Sequence, residues 1–78
     1  MTQVTIYTKD YCPYCKAAKQ MLRAKGIDYT EFDVLQQPEK LQEMLDRSQR
    51  QTVPQIFFGD QHIGGYTDLV EYYRPRAA

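Results

Sequence analysis

The sequence lacks three features that would point to particular classes of protein. Its ten basic and ten acidic side chains cancel, so no net charge draws it towards nucleic acid or an anionic membrane. No apolar run approaches the roughly 20 residues that span a bilayer. The first residues carry neither the basic nor the apolar region of a signal peptide. We therefore expect a cytoplasmic protein that binds neither nucleic acid nor membrane.

Linkers, repeats and low-complexity segments are also absent from the 78 residues. This length suits one small domain, which we expect to span residues 1–78. With 42% hydrophobic and 26% charged residues, the composition is that of an ordinary folded protein.

Hydrophobic periodicity predicts seven elements in the order β-α-β-α-β-β-α. The predicted strands are Val4–Thr8, 27–34, Gln55–Phe58 and 61–63, and the predicted helices begin at Pro13, at Pro38 and at about Thr67. Gly26 is expected to end the first helix, and Gly59-Asp60 suits a two-residue hairpin turn. The first two strands should be parallel and the last two antiparallel. The fold class is therefore α/β, with a mixed four-stranded sheet flanked by helices.

Cys12 and Cys15 lie in the run Tyr11-Cys12-Pro13-Tyr14-Cys15, between a predicted strand and a predicted helix. A zinc site normally needs four ligands, and His62 is the single further good candidate. Covalent haem attachment requires histidine after the second cysteine, where this chain has Lys16. Two small buried thiols without chemistry are another alternative. The position of the pair favours a redox-active dithiol that cycles between thiol and disulfide.

The helix start makes the two cysteines unequal. If Pro13 opens the helix, Cys12 is its N-cap and Cys15 lies on the same face, three positions later. Unpaired backbone N–H groups and the positive end of the helix dipole stabilise a thiolate at Cys12, and Lys9 and Lys16 add positive charge. Cys15, inside the first turn, is expected to be more buried. We predict that an exposed Cys12 attacks and Cys15 resolves.

Two later segments each have a structural and a functional interpretation. Thr52-Val53-Pro54 precedes a strand, where proline is tolerated without any further role. Gly64-Gly65 leads into the last helix, for which Thr67 is an N-cap candidate and Asp68 a favourable charge in the first turn. Exposed backbone N–H groups at that turn would also suit a carboxylate ligand, and glycine would allow its close approach. Local sequence leaves both interpretations open.

Together, three motifs resemble those of the dithiol glutaredoxins. They are Lys9-x-Tyr11-Cys12-Pro13-Tyr14-Cys15, Thr52-Val53-Pro54-Gln55-Ile56-Phe57 and His62-Ile63-Gly64-Gly65-x-Thr67-Asp68-Leu69. They occur in the family's order and at its spacing, and the likeness covers nearly the whole chain. The resemblance implies a thioredoxin-like fold in a monomer. It also implies glutathione as a co-substrate, without a permanently bound cofactor or metal.

The resemblance further implies a set of residues that surround the two cysteines. It implies that Pro54 is cis and lies beside them, and that the backbone of Val53 pairs with the cysteinyl part of glutathione. The glutathione-binding residues implied in this way are Lys9, Tyr14, Gln51, Thr52, Val53, Pro54, Gly65, Thr67 and Asp68.

By the same resemblance, Thr67 and Asp68 would hold the γ-glutamyl end of glutathione, with Gly65 shaping the turn. Lys9 and Gln51 would lie near the glycyl carboxylate, and Tyr14 would line the groove. The chain departs from the family pattern at two places. Gln51 stands where many members carry a basic residue, although Arg50 is adjacent, so either residue is a candidate for that contact. Tyr66 is bulkier than the small residue or cysteine often found there.

The implied activity is the reduction of protein disulfides and of glutathione mixed disulfides, so the implied partners are glutathione and disulfide-containing or glutathionylated proteins. Exchange proceeds through thiolate attack and a mixed disulfide. One alternative is a redoxin reduced directly by thioredoxin reductase, although such proteins usually lack the Gly-Gly-x-Thr-Asp segment. Another is an iron–sulfur carrier that bridges two subunits through Cys12, which a stiffening Pro13 disfavours.

Overall fold

A computed structural model describes residues 3–75 of the chain. The elements follow the predicted order, β-α-β-α-β-β-α. They are β1 (Val4–Thr8), α1 (Pro13–Ala24), β2 (Thr30–Asp33), α2 (Pro38–Ser48), β3 (Gln55–Phe58), β4 (Gln61–Gly64) and α3 (Tyr66–Tyr73).

The four strands form one mixed sheet in the order β2-β1-β3-β4. β1 pairs with β2 in parallel and with β3 antiparallel, and β3 pairs antiparallel with β4. The predicted α/β fold is confirmed. Because β1 is an inner strand, the segment that follows it lies at the carboxyl end of β1, near the centre of the sheet. This segment carries both cysteines.

Alternate side chains of the inner strands point into two hydrophobic clusters, as the two-residue period of a strand requires. Ile6 of β1 packs with side chains of α1 and α3, whereas Tyr7, the next residue, packs with side chains of α2. The first cluster comprises Val4, Ile6, Ala18, Leu22, Ile56 and Leu69. The second comprises Tyr7, Val34, Met44 and Phe57. The sheet therefore lies between α1 and α3 on one face and α2 on the other.

The β3–β4 hairpin connects two segments that the sequence marks as functional. It starts directly after Pro54, turns at Gly59-Asp60 and ends at Gly64. Its register pairs Phe57 with His62 and Ile56 with Gly64, with an irregularity between Ile56 and Phe57. The hairpin thus holds the end of the Thr-Val-Pro segment close to the start of the Gly-Gly turn.

Element boundaries differ from the prediction at two places. β2 covers four residues rather than the predicted 27–34, because its ladder with β1 begins only at Thr30, whereas Ile27 and Tyr29 pack against the first cluster. The prediction that Thr67 caps α3 is wrong. The N-cap is Gly65, since Asp68 reaches back to the Gly65 N–H and so sets the helix start one turn before itself.

Within residues 3–75, no helix combines the length and the apolar character that crossing a membrane requires.

Candidate active site

Cys12 caps α1 with its own sulfur. Its backbone is extended, with φ −85° and ψ 114°, and Pro13 follows as the first helical residue. The Cys15 N–H donates to the Cys12 Sγ at 3.2 Å, so the sulfur satisfies one of the free N–H groups of the helix start. No acidic residue lies in the first turn of α1. The positive end of this helix is therefore directed at the sulfur alone, which stabilises a negative charge there.

The two thiols differ as predicted in their order of burial. Both are free, and Cys12 is 7% exposed whereas Cys15 is 1% exposed. Burial, followed by the hydrogen bond with Cys12, raises the pKa of Cys15 to about 12. The prediction that Cys12 is exposed is wrong, because the residue lies under the loop that carries Val53. Cys15 remains a protonated thiol near neutral pH.

The Val53–Pro54 segment lies against the Cys12 sulfur. The Cys12 S–H donates to the Val53 carbonyl oxygen at 3.7 Å, across 41 positions of sequence. The Val53–Pro54 peptide bond is cis, as the resemblance implied. Pro54 is buried and Val53 half-buried. The start of α1 and this segment therefore form one continuous site around the thiol.

The start of α3 carries a carboxylate, that of Asp68, with one backbone N–H and one cationic side chain as partners. The Asp68 Oδ2 accepts the Gly65 N–H at 2.9 Å and lies 3.1 Å from the Arg50 Nη1. The Gly65 N–H, and after it the Arg50 guanidinium, hold the pKa of Asp68 below its usual value. Asp68 therefore stays ionised at neutral pH. In a complete capping box the N-cap side chain would also accept the backbone N–H of Asp68. Gly65 has no side chain, so only the bond from its own N–H to Asp68 is present.

Of the two adjacent glycines, Gly64 is the one that the geometry requires. Its φ is +118°, and a Cβ there would lie 2.4 Å from the Asp68 Oδ2. At Gly65 the φ is −88°, and a Cβ would lie 3.5 Å from the Pro54 carbonyl oxygen, which is an ordinary contact. The Asp68 carboxylate is thus seated directly over Gly64. The resemblance had placed the shaping role at Gly65.

A pair of tyrosines connects the starts of α1 and α3. The rings of Tyr14 and Tyr66 stack with centroids 6.1 Å apart and planes 29° apart. Tyr14 is 62% exposed, so one ring face remains open to solvent. The bulkier residue at position 66 is accommodated by this stacking.

The structure places the remaining predicted residues at the edges of the site. The Lys9 carbonyl oxygen accepts the Cys12 N–H at 3.1 Å, which closes the turn between β1 and α1. Gln51, Thr52 and Thr67 are exposed. Among residues 3–75, no side-chain hydrogen bond joins Lys9, Gln51 or Thr67 to another predicted site residue. The residue that forms an ion pair with Asp68 is Arg50 rather than the neighbouring Gln51.

Three features were missed in the sequence. The Arg50–Asp68 ion pair has no local signal, since it depends on how α3 docks. Gly64 had a signal in the Gly64-Gly65 pair itself, but nothing local distinguishes which of the two glycines needs the positive φ. Gln55, which is fully buried beside Thr52, had a signal, because a polar residue inside an apolar strand calls for a hydrogen-bond partner. For metals, residues 3–75 contain no group of three or more histidine, cysteine, aspartate or glutamate side chains placed to hold an ion.

Comparison with known proteins identifies relatives over most of the chain. The family model described as Glutaredoxin matches residues 4–63. Glutaredoxin 3 of Escherichia coli is 51% identical over 69 residues, covering 88% of this chain and 83% of that protein. A glutaredoxin of Neisseria meningitidis is 47% identical over 70 residues, covering 88% of this chain and 82% of that protein.

Solved structures agree with these relatives. The solution structure of glutaredoxin from Brucella melitensis has a TM-score of 0.76 at 47% identity, covering 92% of this chain and 80% of that chain. A buckwheat glutaredoxin–glutathione complex has a TM-score of 0.84 at 28% identity, covering 94% of this chain and 69% of that chain. The Cys12–Cys15 pair, the fold and these matches lead to one conclusion: the chain belongs to the glutaredoxin family, whose members are thiol oxidoreductases.

Proposed function

We propose that this protein is a glutathione-dependent oxidoreductase that reduces protein disulfides and glutathione mixed disulfides. The observation that carries the proposal is the Cys12 sulfur at the α1 N-cap, beside the Val53 carbonyl, in a chain that also carries an ionised Asp68 at the start of α3. The active unit is a monomeric domain spanning residues 1–78, acting in the cytoplasm. Glutathione is a co-substrate, and no cofactor is permanently bound.

For a glutathione mixed disulfide, the Cys12 thiolate attacks the glutathione sulfur. The new S–S bond joins Cys12 to glutathione, the old S–S bond breaks, and the substrate leaves as a thiolate that takes a proton from water. A second glutathione thiolate then attacks the glutathione sulfur held on Cys12. Oxidised glutathione leaves, and the Cys12 thiolate is regenerated at the α1 N-terminus, which stabilises it.

For a protein disulfide, Cys12 forms a mixed disulfide with the target and Cys15 resolves it. The pKa of Cys15, at about 12, is raised by burial and also by the neighbouring Cys12. A Cys12 sulfur bonded to the target carries no charge, so one of the causes that suppress ionisation of Cys15 disappears at this stage. Cys15 then attacks the Cys12 sulfur, the target leaves as a thiol, and a Cys12–Cys15 disulfide remains for glutathione to reduce.

The Val53 backbone beside the thiol and the ionised Asp68 support glutathione as the reductant. The buckwheat relative forms a complex with glutathione. In this chain the Val53 carbonyl lies beside the Cys12 sulfur, which supports pairing of the Val53 backbone with the cysteinyl part of the ligand. Asp68 offers a carboxylate to the γ-glutamyl ammonium, with Gly65 and Thr67 beside it. Lys9 and Gln51 are proposed near the glycyl carboxylate, while Tyr14 and Pro54 line the groove and Thr52 supports Val53.

The test is a coupled assay with glutathione, glutathione reductase and NADPH on a glutathionylated peptide. Wild type should turn over, Cys12→Ser should lose at least about 10³-fold in rate, and Cys15→Ser should retain deglutathionylation but lose reduction of a protein disulfide. A parallel assay replaces glutathione and its reductase with thioredoxin reductase. Turnover in the second assay alone would refute glutathione dependence, and loss of deglutathionylation in Cys15→Ser would refute the assigned roles.

A further inference from the structure

We propose that Gln55, supported by His62, is a positioning residue that fixes the Thr52–Val53 segment in the conformation that receives substrate. The proposal rests on the proposed function, since it assumes that the Val53 backbone pairs with glutathione. Neither Gln55 nor His62 touches the reacting sulfur, so both act through the segment rather than on the chemistry.

The Gln55 amide is used almost entirely on one residue of that segment. Gln55 is the first residue of β3 and is 0% exposed. Its Nε2 donates to the Thr52 carbonyl oxygen at 2.9 Å and to the Thr52 Oγ1 at 3.2 Å. One buried NH2 group therefore holds both the backbone and the side chain of Thr52.

The other end of the same amide is held by β4. The Gln55 Oε1 lies 2.7 Å from the His62 Nε2. Because this oxygen can only accept, the His62 Nε2 carries the hydrogen. The His62 ring stacks on Phe57 at 4.8 Å between centroids, which fixes its plane. His62, Gln55 and Thr52 thus form a chain of hydrogen bonds from the sheet to the substrate-binding segment.

The charge state of His62 is compatible with this arrangement. Burial, and after it the positive charge of Arg50, lowers the pKa of His62. The ring is therefore neutral at neutral pH, with its one hydrogen on the nitrogen that faces Gln55. The amide orientation of Gln55 is set by the Thr52 carbonyl oxygen, which can only accept, since the reversed amide would place two acceptors against each other.

The segment has few other hydrogen bonds. Among residues 3–75, the backbone–backbone hydrogen bonds outside the helices and strands include none from residues 50–54. Arg50 before the segment is tied to the Ser48 hydroxyl, and the ladder with β1 resumes only at Gln55. Between them, the Cys12 S–H donates to the Val53 carbonyl.

The Cys12 contact cannot hold the segment during the reaction. Ionisation of Cys12 removes the hydrogen that it donates to Val53, so this bond is lost in the reactive state. The bonds from Gln55 to Thr52 do not depend on Cys12 and remain. We infer that they preorganise the segment when the thiolate forms, and that without them substrate binding would have to order it.

The expected signature is a higher KM at nearly constant kcat, measured in the glutathione-coupled assay. Gln55→Leu replaces the buried amide with an apolar side chain of similar size, which removes all three hydrogen bonds, and should raise KM for the glutathionylated peptide about 5- to 10-fold. His62→Phe keeps the stacking on Phe57 but removes one donor, and should raise KM about 2- to 3-fold. Because the Val53 loop also covers Cys12, iodoacetamide should alkylate Cys12 at least as fast in both variants as in wild type.

The double variant tests whether His62 acts through Gln55. If it does, Gln55→Leu/His62→Phe has the KM of Gln55→Leu alone, because the chain is already broken. Multiplied effects of the two substitutions would overturn that part of the proposal.

Ile56→Val is the matched control for loss of stability. Ile56 is 0% exposed on the same strand, and its truncation destabilises the core without touching Thr52. Its KM should equal that of wild type. If Gln55→Leu and His62→Phe also keep the wild-type KM, or if Ile56→Val raises it equally, the positioning role is refuted. A wild type without glutathione-dependent turnover would instead refute the proposed function itself.

Discussion

Two helices start at the candidate active site, and their first turns satisfy the free backbone N–H groups in different ways. At the start of α1, a thiol sulfur accepts the N–H of Cys15, and no acidic residue lies in the first turn. At the start of α3, the Asp68 carboxylate accepts the N–H of Gly65 and is paired with Arg50. The cap of α1 is therefore a neutral thiol that can become charged. The carboxylate at the start of α3 is charged at neutral pH and is already paired with a cation.

This difference shows that a helix N-terminus stabilises whichever negative charge the sequence places there. In α1 that charge is the transient one on Cys12, because nothing else competes for the dipole. In α3 it is Asp68, which leaves an opposed pair of charges facing the site. In the proposed reaction, the first arrangement serves chemistry and the second serves the binding of a ligand end that carries an ammonium group. Four predictions test this division.

The largest effect is expected at the start of α1, between the two thiols. In native protein at pH 8, iodoacetamide should modify Cys12 about 10³-fold faster than Cys15, because only the thiolate reacts. The pKa of Cys15 is about 12 and its exposure is 1%, so almost none of it is ionised or accessible. Peptide mass spectrometry over a time course measures both rates.

The control is the same labelling in denaturant, where the two cysteines should react at similar rates. Equal labelling in the native protein would show that the helix start does not distinguish the thiols.

A smaller effect is expected at the glycine pair before α3. Gly64→Ala should lower the free energy of unfolding by about 2 kcal/mol or more, since it forces a positive φ on alanine and brings its Cβ against Asp68. Gly65→Ala should lower it by less than about 1 kcal/mol, the usual effect of alanine at an N-cap. Urea unfolding followed by circular dichroism measures both, and equal losses would contradict the assignment of Gly64.

The smallest effect is expected from the charge of Asp68. Asp68→Asn keeps an oxygen for the Gly65 N–H but removes the ion pair with Arg50, and should raise KM for glutathione about tenfold with kcat unchanged. Glu71→Gln is the control, because it removes a negative charge from the same helix at the exposed pair with Arg74. An equal rise in both variants would indicate a general charge effect rather than a contact at α3.

The same substitution has a pH signature. The Gly65 N–H and Arg50 hold the pKa of Asp68 below its ordinary 3.8, so the ionised form favours the folded state. That stabilisation is complete above the unfolded value and is lost as pH falls through the lower folded value. Wild type should therefore exceed Asp68→Asn in stability by a constant amount above about pH 5, and the difference should shrink below about pH 4. A difference that is independent of pH would exclude this contribution.

Local rules predict the architecture and the position of Cys12 at the start of α1 well. Proline at the first position of α1 and α2, and apolar periodicity in β1, β3 and α1, determine elements that do not depend on distant residues. The cap position of Cys12 follows from Pro13 for the same reason.

What local sequence does not predict depends on how distant segments meet. The burial of Cys12 comes from Val53, 41 positions later, and the contact between Arg50 and Asp68 joins exposed side chains 18 positions apart. At Gly64, the positive φ and the Asp68 carboxylate over the place of a Cβ both follow from the path of the chain between β4 and α3. Such features become visible once the hairpin and α3 have docked.

The β3–β4 hairpin has a consequence for changes far from the thiols. Each strand contains four residues, so its turn lies roughly 13 Å from the cis-proline and the double glycine that flank the hairpin. The pairing of Ile56 with Gly64 sets how far apart those two segments stand. Inserting one residue into either strand would shift that register and turn every later side chain to the opposite face. The lengths of the two strands therefore set the distance between the Thr-Val-Pro segment and the Gly-Gly turn. A change at Gly59-Asp60 preserves that distance only if it keeps the number of residues in the hairpin.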